Sequence, residues 1–307
     1  MEVAIMIEGQ NGLNWQRWQR IALAVEELGF VGLYRSDHYT NMDPPDKDSL
    51  ELWVSLTWLA SHTRRIEFGQ LVSPFSFRHP TMMARMASAV DDLSGGRFTF
   101  GVGAGWQERE HTNYGLELLD LPDRFTRFEE GLQVVSKLLQ SDEPVDFQGS
   151  YYQLQDAILL PRPQRPGGPP LLVGGNGLKR TLPLAARYAQ EWNGVYITPE
   201  QFTERNQRLD ELLAENGRSR QDLRRSLMVG CRFGRDSAEL QSKLAKEKDW
   251  ANEMRRNGMA VGTGNEIADQ LVQWQEAGVQ RIMLQWLDLD DLDGLEALAH
   301  AVLPQLA

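Results

Sequence analysis

Eight short apolar runs, each bounded by turn residues and separated from the next by an amphipathic stretch, constrain this chain more than any single motif. The runs are Val3–Ile7, Phe30–Tyr34, Ile66–Val72, Arg97–Val102, Pro170–Val173, Glu191–Tyr196, Ser226–Arg232 and Arg281–Gln285. Between them lie helical patterns. In Trp15–Leu28 the residues Trp15, Trp18, Ile21, Ala22, Val25 and Leu28 share one face, and Gly29 follows as a stop. Pro80 and Pro199 stand at first helical positions, the second after the cap Thr198. Phe125, Phe128, Leu132, Val135 and Leu139 mark another stripe, and Glu51–Ser61, Thr181–Ala189, Ala238–Arg256, Glu266–Ala277 and Leu292–Leu306 read as further helices. Strands joined through helices run parallel, because each connection must cross over. Eight such units in 307 residues fit an α/β fold of the (β/α)8 TIM-barrel type, with an open doubly wound sheet as the alternative. Ser141–Gly168 breaks the rhythm with its proline and glycine, and Val145–Phe147 with Ser150–Leu154 reads as a small hairpin. It is expected to be an insertion after the fourth helix, within one domain spanning residues 1–307.

Composition removes several function classes. A net charge of −11 repels phosphate, which argues against a nucleic acid or an anionic membrane as partner. The single cysteine, Cys231, leaves no internal disulfide and no cysteine metal site. The histidines are scattered and HExxH is missing, so no metal is expected; GxSxG, the serine-nucleophile elbow, is missing too. The first residues, MEVAIMIEGQ, lack the basic and long apolar regions of a signal peptide, and no apolar stretch reaches membrane-spanning length. The expectation is a cytoplasmic protein acting on a small molecule.

In a barrel of this kind the loops after the strands share one face, where barrel enzymes keep their sites. Glu8 follows the first strand, Asp37 and His38 the second, Ser73 the third, Gly103–Glu110 the fourth and Gly174–Gly177 the fifth. His38 is the candidate for proton transfer, since imidazole titrates near neutrality and the adjacent Asp37 carboxylate can orient it. The plainer reading is a helix-capping Asp37 beside a packed loop histidine. Glu110 and Glu8 can serve as acid or base, or orient a substrate. His79 reads as a helix-entry residue, and His111 as a flank to Glu110. Gly103-Ala104-Gly105 strips side chains from the end of a strand, so that something flat can approach. The run from Gly101 to Gly105 lacks the last spaced glycine of a dinucleotide fingerprint. Gly174-Gly175-Asn176-Gly177, followed by Lys179 and Arg180 at a helix start, suits an anion, or is an ordinary tight turn. Trp53, Trp58 and Trp106 are each assignable to core or rim.

These segments together resemble the bacterial-luciferase-like family of flavin and deazaflavin oxidoreductases. The resemblance runs through AVEELGFVGLYRSDHY, the long stretch from LASHTRRIEFGQLVSPFSFRHPTMMARMASAVDDLSGGR to FTFGVGAGWQEREHTNYG, RFEEGLQVVSKLL, FQGSYYQL, PRPQRPGGPPLLVGGNGLKRTLPLAARYAQEWN and VGTGNEIADQL. Ser36-Asp37-His38 and GAGWQEREHTNYG are most similar to the branch that uses coenzyme F420, an 8-hydroxy-5-deazaflavin. The resemblance implies hydride transfer to or from C5 of the deazaflavin. It places His38 near the reactive carbon with Asp37 beside it, a non-prolyl cis peptide near Gln70-Leu71 behind the ring, and Ser73 next to the ring. It implies that Ala104, Gly105 and Glu110 line the cofactor cleft and that Gly174, Gly175 and Asn176 approach the ribityl-phosphate portion. With flavin mononucleotide (FMN) instead, the implied reaction is a monooxygenase's oxygen insertion; a binder without turnover is a third reading. The resemblance also implies a homodimer and a substrate pocket walled by the loops, including Ser141–Gly168 and Trp250.

Overall fold

The parallel strands close on themselves. In this computed structural model, which describes residues 1–245, 253 and 256–306, the first half runs β1 (Glu2–Ile7), α1 (Trp15–Leu28), β2 (Gly32–Arg35), α2 (Leu52–His62), β3 (Glu67–Gln70), β4 (Ser73–Pro74), α3 (Pro80–Ser94) and β5 (Phe98–Gly103). It continues through α4 (Glu108–Tyr114), α5 (Leu121–Gln140), the strands β6 (Val145–Gln148) and β7 (Gln153–Ala157), then β8 (Leu171–Gly174), α6 (Thr181–Tyr188) and β9 (Glu191–Val195). The last part holds α7 (Pro199–Glu215), β10 (Arg224–Phe233), α8 (Ser237–Leu244), β11 (Ala260–Gly262), helix Gly264–Glu276, β12 (Arg281–Gln285) and helix Leu292–Leu306. Strands β1, β2, β3, β5, β8, β9, β10 and β12 pair in that order, all parallel, and β12 returns to β1. This is a closed eight-stranded (β/α)8 barrel, and the open-sheet alternative falls.

Side-chain alternation along the strands sorts the core into two layers. On β1, Val3, Ile5 and Ile7 join the large cluster between strands and helices, with Trp18, Phe30 and Trp192. Ala4 and Met6 face inward with Tyr34, Leu71, Leu172, Met228 and Met283. The helix signals act as written: Asn14 caps α1 and Gly29 ends it in the left-handed region, Thr198 closes a capping box on α7, and His79 caps α3 ahead of Pro80.

Three differences from the sequence reading have local causes. The expected strand Ile66–Val72 divides into β3 and β4, because a cis peptide joins Leu71 to Val72, one residue beyond the expected position. A short strand, β11, pairs with the far end of β10; with only three residues it carries no periodicity to read. Of the expected helix Ala238–Arg256, α8 forms the first part, and most of the remainder, with Trp250, lies outside the described residues. Residues 145–157 form the separate antiparallel pair β6–β7 between α5 and β8. No described helix is long and apolar enough to cross a membrane, and among the described residues no group of three His, Cys, Asp or Glu could hold a metal.

Candidate active site

At the C-terminal end of the barrel strands lies a cleft of about 540 Å³. Its polar working pair is His38 and Glu110. His38 leaves the end of β2 with its ring facing the cleft; Glu110 stands in the first turn of α4 and is 1% exposed. His38 Nδ1 lies 2.8 Å from Glu110 Oε1, while Glu110 Oε2 accepts the Tyr39 backbone N–H at 2.9 Å. With both carboxylate oxygens occupied, Glu110 is fixed as an acceptor, so Nδ1 carries the proton and Nε2 is the atom left for chemistry. Burial pulls the His38 pKa down. The hydrogen bond and charge of Glu110, with the charges of Glu8 and Asp37, outweigh it and raise the pKa above the ordinary 6.5.

Asp37 does not orient His38, contrary to the sequence expectation. Its carboxylate accepts Ser73 Oγ at 2.6 Å and pairs with the Arg78 guanidinium. Adjacent residues in an extended segment point apart, so a carboxylate next in sequence to His38 is poorly placed to share a hydrogen bond with its ring. Arg78 in turn reaches Glu51 at 3.0 Å, tying together the chain after β2, the segment after β4 and the start of α2. His111 is a buried pin: its Nδ1–H donates to the Gln107 carbonyl at 2.7 Å and its Nε2 accepts Ser76 Oγ at 2.8 Å.

The glycine elbow is a bare wall. A Cβ at Gly103 would come within 2.6 Å of Val72 Cγ2, and one at Gly174 within 3.0 Å of Val72 Cγ1, so the ends of β5 and β8 close directly on the Val72 bulge. Gly105 turns away at φ +84°, and Ala104 lies beside it on the lining. Across the cleft Glu8, Leu71 and Gly175 complete the expected lining residues. Four expected residues stand behind it. Ser73 and Asp37 form the pair described above; Asn176 braces β9 by accepting the Val195 N–H and donating to the Val195 carbonyl. Gln70 is fully buried, with neither amide atom partnered among the described residues. Trp106 stands half-exposed at the mouth, edge-on to His38 with ring centroids 5.6 Å apart. Trp53 is in the core, and Trp58 stacks on His62 outside the barrel.

Sequence reading missed the wall from β9 to β12. Asn193 Nδ2 donates to Ser226 Oγ at 3.0 Å, which turns Oδ1 free of any partner in a buried part of the lining. Tyr196, with φ +49°, directs its hydroxyl to Gln285. Asparagine and tyrosine inside or just after an apolar run look like ordinary strand residues; only their place at the C-terminal end of a barrel strand could have marked them.

A flat, partly apolar ring system fits this cleft. The unpartnered Asn193 Oδ1 offers an acceptor to a ring N–H, and the glycine-and-Val72 wall admits a planar face.

Comparison with known proteins agrees with the geometry. The family model of the luciferase-like monooxygenases matches residues 1–254. The chain is 28% identical over 317 residues to 4-hydroxyprotoasukamycin monooxygenase of Streptomyces nodosus subsp. asukaensis, covering 93% of this chain and 84% of that protein. It is 31% identical over 236 residues to the F420-dependent glucose-6-phosphate dehydrogenase of Microbacterium testaceum (strain StLB037), covering 74% of this chain and 66% of that protein. In fold it superposes on an F420-dependent secondary alcohol dehydrogenase, solved with an F420-acetone adduct, with a TM-score of 0.88, 18% identity and coverage of 100% and 99%. A closed barrel with this cleft, and a family match over most of its length, make the chain an enzyme of the luciferase-like monooxygenase family.

Proposed function

We propose that the chain is a coenzyme F420-dependent oxidoreductase, with the His38–Glu110 pair handling the proton that accompanies hydride transfer to or from a small organic substrate. The carrying observation is that pair: a cleft imidazole whose Nδ1 is locked by a buried carboxylate and whose Nε2 is open. F420 supplies a carbon that accepts or gives hydride and lacks the flavin N5 through which oxygen is activated. The protein supplies position and proton control. The Val72 bulge packed into the space left at Gly103 and Gly174 would take the ring face, Asn193 Oδ1 a ring N–H, and Gly175 with the start of α6 the phosphate-bearing arm. The dehydrogenase relatives favour this cofactor. The monooxygenase relative, which matches more of the chain, favours FMN as the second reading.

A pH profile tests the assignment of the pair. As a general acid, His38 works protonated and the rate falls as pH rises through its raised pKa; as a base, the rate rises over the same range. In Glu110→Gln, the side-chain oxygen must serve the Tyr39 N–H, so the amide NH2 faces Nδ1 and favours neutral imidazole. Burial then dominates, and the limb is expected to move to lower pH in either direction of reaction. A limb that stays in place would assign the titration to another group.

A further inference from the structure

Facing the glycine elbow is a wall of hydrogen bonds whose direction can be traced from end to end. The Gly9 N–H donates to Ser36 Oγ at 2.9 Å, and Ser36 Oγ donates to Gln10 Oε1 at 2.7 Å. Gln10 Nε2 donates to Glu8 Oε2 at 3.0 Å, and Gln285 Nε2 donates to Glu8 Oε1 at 2.7 Å. An amide facing a carboxylate must present its NH2, so Gln285 turns its oxygen to Tyr196, and the phenol hydrogen is committed to that oxygen at 2.5 Å. Each of these bonds points toward Glu8; the second N–H of Gln10 and of Gln285 is left over, but neither glutamine lines the cleft. Tyr196 and Glu8, which do line it, offer a ligand acceptor capacity: the lone pairs of Tyr196 Oη and those left on the Glu8 carboxylate.

The charge that this wall turns to the cleft is the Glu8 carboxylate's. No ion pair reaches Glu8 among the described residues: the buried Arg35 behind it donates to Ser55 and to the Ser36 and Leu50 carbonyls, and Arg124, elsewhere in the lining, donates to the Gly105 and Leu119 carbonyls. Glu8, His38 and Tyr196 line the same cleft, and the charge of Glu8 raises the pKa of both His38 and Tyr196. Burial and then the charge of Glu8 push the Tyr196 phenol up to about 12, against smaller pulls from Gln285 and Arg232, so it stays protonated across the working range. The backbone holds Tyr196 in place at a cost: φ +49° is a strained conformation for this residue. Gly230 makes room for the ring, since a Cβ there would lie 3.1 Å from Tyr196 Cε1. The surrounding lining, Met6, Leu71 and Met228, is apolar.

Resting on the reading of this cleft as an F420-dependent active site, we propose that the substrate is an uncharged hydroxylated compound, held by a hydroxyl separate from the reacting group that His38 serves, which donates to the Tyr196–Glu8 wall, and that the wall excludes phosphorylated and other anionic compounds. A hydroxyl supplies the donor that the wall lacks, and its carbon skeleton meets the apolar lining. A phosphate brings two negative charges and no donor against a carboxylate in a confined site, a juxtaposition that carries a steep penalty. The substrate named for the dehydrogenase relatives carries such a phosphate; by this inference, this chain differs from them in substrate.

The test uses the full chain, alone and with oxidised F420 bound, with cyclohexanol and cyclohexyl phosphate as matched probes read by intrinsic tryptophan fluorescence. Cyclohexanol is expected to saturate, and cyclohexyl phosphate to bind at least about tenfold more weakly. Tyr196→Phe should weaken cyclohexanol about three- to tenfold while F420 affinity stays level. Glu8→Gln should narrow the preference for alcohol over phosphate about tenfold or more, a change that loss of packing would not produce. Saturation by neither probe, equal or tighter binding of the phosphate, or a preference unaltered in Glu8→Gln would overturn the proposal. If F420 fails to bind while alcohol selectivity persists in the protein alone, the cofactor reading falls and this one stands.

Discussion

Replacing His38 with alanine is expected to lower kcat by about two to four orders of magnitude, the usual range for a positioned acid or base, while F420 affinity changes less than about threefold, under ~1 kcal/mol. The separation follows from the geometry. His38 contributes one ring to the cleft, whereas the planar wall is made by Gly103, Ala104, Gly174 and the Val72 bulge, none of which leans on the imidazole. Removing the ring leaves Glu110 still held by the Tyr39 N–H and still buried. Stopped-flow absorbance at the deazaflavin band reads hydride transfer, and fluorescence quenching reads affinity. A parallel loss of both would mean that His38 shapes the cofactor site and does not act in the chemistry. A fall in kcat alone, partly restored by added imidazole, would support the proton role.

The second large effect concerns the opposite end of the barrel. Arg281, at the start of β12, is completely buried. It donates to Glu2 Oε2 at 2.8 Å, to Glu67 Oε2 at 2.7 Å and to Tyr34 Oη at 2.6 Å, with Glu191 at 3.6 Å. One guanidinium thus bridges carboxyl groups from β1, β3 and β9, plugging the base of the barrel where strand ends converge. Arg281→Met keeps much of the volume and leaves those carboxylates only Arg224, which sits at 3.5 Å from Glu67 and farther from the other two. Of the three carboxylates only Glu191 is buried, while Glu2 and Glu67 keep about 40% side-chain exposure, so the loss is expected to be about 1–3 kcal/mol, still a sizeable share of a typical domain's stability. The urea midpoint should fall accordingly.

The sign of the pH dependence provides an internal check. Burial raises the Glu191 pKa, outweighing Arg281 and the other groups that lower it. A carboxyl whose folded pKa exceeds its unfolded value favours the protonated fold, so its penalty is greatest at higher pH and fades as pH falls through the raised value. The deficit of Arg281→Met should therefore shrink on acidification, and Glu191→Gln in that background should recover part of it at neutral pH. A deficit independent of pH would point to lost packing alone.

The barrel was legible because its signals are local. Period-two apolar runs, capped helices such as α1 and α7, and the prolines at the starts of α3 and α7 all write their geometry within one or two turns of chain. The mouth was legible in outline for the same reason, since strand ends in a barrel share one face. What could not be read was which side chains pair there. His38 takes its carboxylate from Glu110, 72 residues away, and not from the neighbouring Asp37. That choice depends on how α4 docks over the end of β2, a tertiary fact without local trace. The Tyr196–Gln285–Glu8 chain is assembled from three strand ends, with Gln285 and Glu8 separated by 277 positions; of the three only Glu8 stands out in sequence, as a carboxylate after the first strand. The cis peptide in the third strand was expected only through the family resemblance and one bond early, since nothing in Gln70-Leu71-Val72 marks which bond is cis.

The central claim is that this mouth is built for a deazaflavin. Titration of the purified chain with oxidised F420 and, separately, with FMN, followed by quenching of cofactor and tryptophan fluorescence, tests it most directly. Saturable binding of F420 at least about tenfold tighter than FMN is the predicted result. Binding of FMN in preference to F420 would contradict it and move the chain to the monooxygenase reading.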